Sequence, residues 1–151
     1  GCGVLLPGGL AGWLEGDAAR GLELLEGRGT GTVELSGGYA VDVTEVRLRW
    51  TPEADGGRVT GAGLVCRLTA RLEEGAAAPE KEELEGLERE LAARSEGCIR
   101  AALDSLQSRN TDCLSLTRRL AALRPMARAD RERFGTWELT AEVRAEVTRG
   151  E

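Results

Sequence analysis

A stripe of side chains stepping by threes and fours runs through the segment from Pro79 to Asn110: Leu84, Leu87, Leu91, Ser95, Cys98, Ala102 and Leu106. That spacing is one face of a helix with a 3.6-residue period. Ile99 and Leu103 widen the stripe, so the face is expected to be buried rather than to form a narrow coiled-coil seam. Glu85, Glu88, Arg89, Arg94 and Arg100 fall on the other face and read as solvated. Pro79 suits a first helical position, and Glu80, Glu82 and Glu83 place negative charge where the helix dipole favours it. Asn110 suits the stop. A helix of about 30 residues is about 45 Å long, enough to cross a small domain.

On either side of this helix the pattern alternates. Val4–Leu6 and Leu10–Leu14, split by Pro7-Gly8-Gly9, read as a hairpin with Trp13 in the core. Asp17 is expected to cap a short helix whose inner face carries Ala18, Leu22 and Leu25, and Gly27 and Gly29 end it. Gly21 inside that helix costs about 1 kcal/mol relative to Ala, which close packing against another element would explain. Thr32–Leu35 predicts a brief strand, with a turn at Gly37-Gly38. Tyr39–Thr51 predicts a long one. Val41 and Val43 share one parity and Val46, Leu48 and Trp50 the other, so an extra residue is expected near Thr44-Glu45, as a β-bulge or bend.

Pro52–Gly57 reads as a polar turn leading into a strand over Arg58–Glu73. There Leu64, Cys66, Leu68, Ala70 and Leu72 alternate with Val65, Arg67, Thr69 and Arg71. Asp55-Gly56-Gly57 makes the two strands a hairpin. Gly75–Ala78 is a linker. After the long helix, Thr111 or Asp112 can cap a second one with Leu116, Leu120 and Leu123, ended by Pro125. Arg128–Arg133 reads as a charged connection. Leu139, Ala141, Val143, Ala145 and Val147 then mark a last strand with one wet face. Hairpins dominate and there is no βαβ series. The expected class is α+β: a largely antiparallel sheet of about five strands packed against a long helix plus shorter helices, in one domain over 1–151.

Composition narrows the chemistry. There is no His, which removes the usual general base and the commonest metal ligand. The net charge of -6 and the absence of a dense Lys/Arg cluster argue against a nucleic-acid surface; the longest basic segment, Arg118–Arg133, is diluted by Asp130 and Glu132. Of Cys2, Cys66, Cys98 and Cys113, none stands in a zinc spacing. Cys66 and Cys98 read as small buried hydrophobes, and a disulfide is left open because sequence does not pair them. Gly61-Ala62-Gly63 lies inside a strand pattern and is no phosphate loop. Carboxylate pairs such as Glu82-Glu83 and Glu73-Glu74 read as solvated surface. No catalytic, cofactor-binding or metal-binding residue is nominated. No segment reaches the roughly 18–20 apolar residues of a membrane span, and no stretch of the sequence reads as a signal peptide. The start on Gly1-Cys2-Gly3, without Met, reads as a piece of a longer protein.

In order, several short motifs resemble the C-terminal domain of the Ger(x)C family, the lipoprotein C subunits of spore germinant receptors. Gly1-Cys2-Gly3-Val4-Leu5 through Leu10-Ala11-Gly12-Trp13-Leu14 is similar to the family's first strands, and Arg20-Gly21-Leu22 to an Arg-Gly-Leu in its first helix. Thr111-Asp112-Cys113-Leu114-Ser115-Leu116 resembles an Asp-Ile-Phe-Gly-Phe-Gly stretch, with Ser115 and Thr117 where the family has glycines. Leu139–Gly150 resembles its terminal strand. The segment from Pro125 to Trp137 is shorter than the family's and lacks its tryptophan-bearing helix turn.

The resemblance implies a non-enzymatic receptor component on the outer face of the spore inner membrane, working with integral-membrane A and B subunits. This chain would be the C-terminal domain of a longer lipoprotein, anchored by a lipid upstream, so Cys2 is not the anchor. The expected role is a scaffold or interaction domain without a cofactor. The alternative is an extracytoplasmic domain that binds a peptide or small ligand, which a deep apolar pocket with few polar groups would favour.

Overall fold

The computed structural model describes residues 16–28, 31–73, 79–108, 116–123 and 128–149. In chain order the elements are α1 (Gly16–Leu25), β1 (Gly31–Glu34), β2 (Ala40–Asp55), β3 (Arg58–Leu72), α2 (Lys81–Ser108), α3 (Leu116–Leu123), α4 (Arg128–Glu132) and β4 (Glu138–Thr148). Among the described residues the sheet has four strands in the order β1-β2-β3-β4. The architecture is the expected α+β. The predicted N-terminal hairpin with Trp13, the Gly75–Ala78 linker and the Thr111/Asp112 cap lie outside the described residues.

The long helix is where the periodicity puts it. Its 28 residues bury Leu87, Leu91, Ser95, Cys98, Ile99, Ala102, Leu103 and Leu106, with Leu84 half-buried against the same core. The carbonyl of Glu80 accepts the Leu84 N–H at 2.9 Å, which makes Glu80 the N-cap. Pro79 therefore precedes the cap instead of opening the helix, and it is buried. In α1 the helix begins at Gly16, so Asp17 sits in the first turn and not at the cap. That end still benefits from its negative charge. The other end closes on Gly27 at φ 79°. The Gly27 N–H reaches the Leu24 carbonyl at 2.9 Å and the Arg28 N–H the Glu23 carbonyl at 3.0 Å, the paired bonds of a Schellman cap.

β2 and β3 form one long antiparallel hairpin. Strand β2 runs on through Pro52 to Asp55 where a polar turn was expected, and the turn is only Gly56-Gly57. Their φ angles of 59° and 81° are those a tight two-residue hairpin turn demands. Pro52 is tolerated because β1 pairs only with residues 40–43 of β2. Beyond them, among the described residues, β2 meets the ladder on the β3 side alone, and an edge position spares proline its missing N–H. The predicted bulge is present. Val43 pairs with Ala70 and Glu45 with Thr69, which leaves Thr44 as the extra residue. It brings Val46, Leu48 and Trp50 back to the face that Val41 and Val43 occupy, opposite Leu68, Cys66 and Leu64.

Strand β4 pairs with β3 in parallel. A hairpin-dominated reading did not single this pair out, because alternation looks the same in either strand direction. The connection from β3 passes through α2, α3 and α4, the long crossover that a parallel neighbour needs. Residues 128–137 are more structured than the charged connection expected over Arg128–Arg133. Within them α4 carries an Arg128–Glu132 ion pair at 3.1 Å. A 3-10 turn over Phe134–Thr136 follows. The rings of Phe134 and Trp137, both buried, lie 5.6 Å apart at 59°. Gln107 of α2 donates to the carbonyls of Phe134 and Trp137 at 3.1 and 2.6 Å, which holds this turn on the long helix.

The core lies between one sheet face and the helices. It gathers Leu24 and Leu25 of α1, Val41 of β2, Leu64, Cys66 and Leu68 of β3, Ile99 of α2 and Leu120 of α3. Two polar residues of α2 reach the outer edge of β4. The Glu88 carboxylate accepts the Val147 N–H at 2.9 Å, and Arg100 donates to the Ala141 carbonyl at 3.4 Å. Glu88 is thus half-buried rather than solvated as its helix position implied. An edge strand whose backbone groups are engaged in this way is a poorer template for pairing with another chain.

Candidate functional site

Cys66 is fully buried in the middle of β3 and faces the core. Burial pushes its thiol up to about 11, so it is neither a ready nucleophile nor a ready metal ligand at neutral pH. Cys98 is buried on α2, and its thiol is also raised, by burial first and by the charge of Asp17 next. Both cysteines are free; Cys2 and Cys113 lie outside the described residues. Gly61 lies within β3, where an added Cβ would stand 2.1 Å from the Glu138 carbonyl oxygen. That glycine lets β4 approach closely. Glu82 and Glu83 are exposed at the start of α2, and Glu83 accepts the Tyr39 hydroxyl at 2.8 Å. Glu73 is likewise exposed and, with Asp42, accepts the Thr32 hydroxyl, at 3.0 and 2.7 Å respectively; Glu74 lies outside the described residues. Among the described residues no three of Cys, Asp and Glu are placed to hold a metal ion, and no helix is long and apolar enough to cross a membrane.

A cleft of about 380 Å³ opens where α1, β1 and α2 meet, with Arg20, Leu24, Val33, Arg94, Ser95 and Cys98 in its lining. Its cations are already engaged. Arg20 donates to the Thr32 carbonyl at 3.3 Å, and Arg94 donates to the Glu34 carbonyl. Arg94 also pairs with Glu90 at 3.4 Å. Glu90 accepts the Ser36 N–H at 3.0 Å. Its carboxyl is held below the usual range, first by a hydrogen bond from the Ser36 side chain and further by that N–H and Arg94, against partial burial. These contacts tie β1 and the Ser36–Gly38 turn to α2. The cleft is open and mixed in character, unlike the deep apolar pocket that a small-ligand domain would present.

The outward face of the sheet differs. Register puts Arg47 of β2 opposite Arg67 of β3, and Arg67 beside Arg144 of β4. Directly paired residues share a face with Cβ atoms about 5 Å apart, so three guanidinium groups form a row across three strands. Arg49 extends it along β2. An open groove of about 360 Å³ is lined by Arg47, Leu48, Arg49, Val65, Arg67 and Arg144. Arg47 is paired with Glu45 at 2.7 Å and Arg144 with Glu142 at 3.4 Å. No ion pair joins Arg49 or Arg67 among the described residues. Like charges directly opposite on a sheet are destabilising, yet they gather here on a chain with 26 acidic and 20 basic residues. Guanidinium forks match carboxylate and phosphate oxygens. Sequence reading missed this site because its arginines lie on three separate strands. Only their outward parity was visible.

Residues 1–149 match the family described as Spore germination B3/GerAC like, C-terminal. No curated protein matches the chain. Among solved structures, the fold is similar to the crystal structure of the GerBC protein, with a TM-score of 0.72 at 18% sequence identity. The match covers 92% of this chain and 47% of that one, so the chain spans about half the length of that relative.

Proposed function

The chain belongs to the spore germination B3/GerAC-like C-terminal family, and on that premise we propose that it is a non-enzymatic component of a spore germinant receptor. Its role is that of a scaffold or interaction domain. The observation that carries the reading is the family match, which spans residues 1–149. A fold similar to GerBC over 92% of the chain supports it. So does the chemistry of the described residues. The chain has no histidine and Cys66 and Cys98 are buried, so the described residues supply neither a Ser-His nor a Cys-His pair.

In this reading the chain is the C-terminal domain of a longer lipoprotein held by an upstream lipid at the outer face of the spore inner membrane. Its partners are the integral-membrane A and B subunits of the receptor. Co-purification of the chain with detergent-solubilised A and B subunits, with salt varied, tests this. Retention that weakens with salt is expected, as for contacts between charged surfaces. Absence of retention at every salt concentration overturns the reading.

A further inference from the structure

We infer that the arginine groove on the outward sheet face is a docking site for an acidic segment of a protein partner. The inference rests on the reading of this chain as an interaction domain and names its surface. Arg47, Arg67 and Arg144 stand in register on adjacent strands, which spans about 10 Å at about 4.8 Å per strand. Alternate side chains of an extended segment repeat at about 6.6 Å. Two carboxylates on one side of such a segment therefore fall within the row. Val65, paired with Arg49 on the same outward face, lines the groove and offers the segment's stem an apolar contact.

Charge complementarity selects this occupant over a bilayer. Glu45, Glu142 and Glu146 are exposed around the row, and the register places Glu45, Thr69 and Glu146 as the next outward tier. A broad anionic plane would meet those carboxylates together with the arginines. A narrow acidic strand laid along the row meets the cations and passes between the acids. Arg67 is central and has no carboxylate of its own among the described residues. It has the most to gain from one supplied by a partner.

The probe is a fluorescent oligoglutamate peptide, followed by anisotropy at low and physiological salt. Binding that salt weakens is expected. Arg67→Glu should lower the affinity about tenfold or more, a difference of about 1.4 kcal/mol. Arg119→Glu on the exposed side of α3 should leave it unchanged. Without peptide, Arg67→Gln should raise the Tm, because it removes the central like charge. The inference is overturned by absence of binding at low salt, or by equal losses in the Arg67 and Arg119 variants. Arg67-dependent binding to phosphatidylglycerol vesicles in place of the peptide overturns it too. If the chain fails to co-purify with A and B subunits yet binds the peptide through Arg67, the receptor reading falls and the groove stands. Co-purification without peptide binding gives the converse.

Discussion

Gly21 of α1 faces the backbone of Cys98 on α2 so closely that an added Cβ would lie 1.9 Å from the Cys98 carbonyl oxygen and 2.9 Å from the Ile99 N atom. The two helices therefore meet backbone to backbone at this point. The conformational cost of glycine in a helix is offset by that approach, which lets Leu22, Leu24 and Leu25 reach the core.

Gly21→Ala is expected to force the helices apart and destabilise the chain by about 1–3 kcal/mol, the usual cost of overpacking. Gly97 is the control. It lies inside α2 with nothing within 4 Å of an added Cβ, so Gly97→Ala should stabilise by about 0.5–1 kcal/mol. Thermal or urea denaturation of both variants measures the contrast, and equal effects would show that the helices do not meet at Gly21.

The bulge makes a sharper case. Deleting Thr44 turns the Val43–Ala70 and Glu45–Thr69 pairs into successive rungs and leaves every later side chain on its present face. Deleting Arg47 instead shifts Leu48 and Trp50 to the opposite face, since side-chain direction has a period of two. A folded, cooperatively melting Thr44 deletion and an unfolded Arg47 deletion are expected. Circular dichroism and a melting curve separate them.

Cys66 supplies a pH dependence with a definite sign. Its thiol rises from 9.0 to about 11 in the folded chain, so its contribution to stability is fully present below about pH 9. It is lost as pH rises through about 11, because the unfolded chain gives up the proton first. Cys66→Ala should flatten the fall in Tm over that interval. In the native chain at pH 8, iodoacetamide should leave Cys66 unmodified until denaturant is added.

Much of the fold was legible because it is written in local period. The buried face of α2, the parity change around Thr44 and the tight approach at Gly21 each follow from how a helix or strand points its side chains. Fine positions of helix starts were less legible. Pro79 and Asp17 each suited a role two residues from the one they hold, since local signals leave a helix boundary open by a residue or two. The helical turn before Trp137 was missed because its support comes from Gln107, 27 and 30 residues away in sequence. The candidate site was legible only in its parts, as single outward arginines in separate alternating runs.

By itself, then, the sequence determined which residues leave water: the stripe from Leu84 to Leu106, the Leu64–Leu72 alternation, and the need for one extra residue in β2. Those follow from the partition of apolar side chains on a local repeat. Tertiary structure alone decided which strand lies beside which, in which direction and in which register. Alternation carries no label for its neighbour. The packing of α2 across the sheet and the closure of the long β3-to-β4 connection choose the parallel pairing. That choice brings Arg144 beside Arg67, in line with Arg47 one strand further on, and seats the Val147 N–H on Glu88.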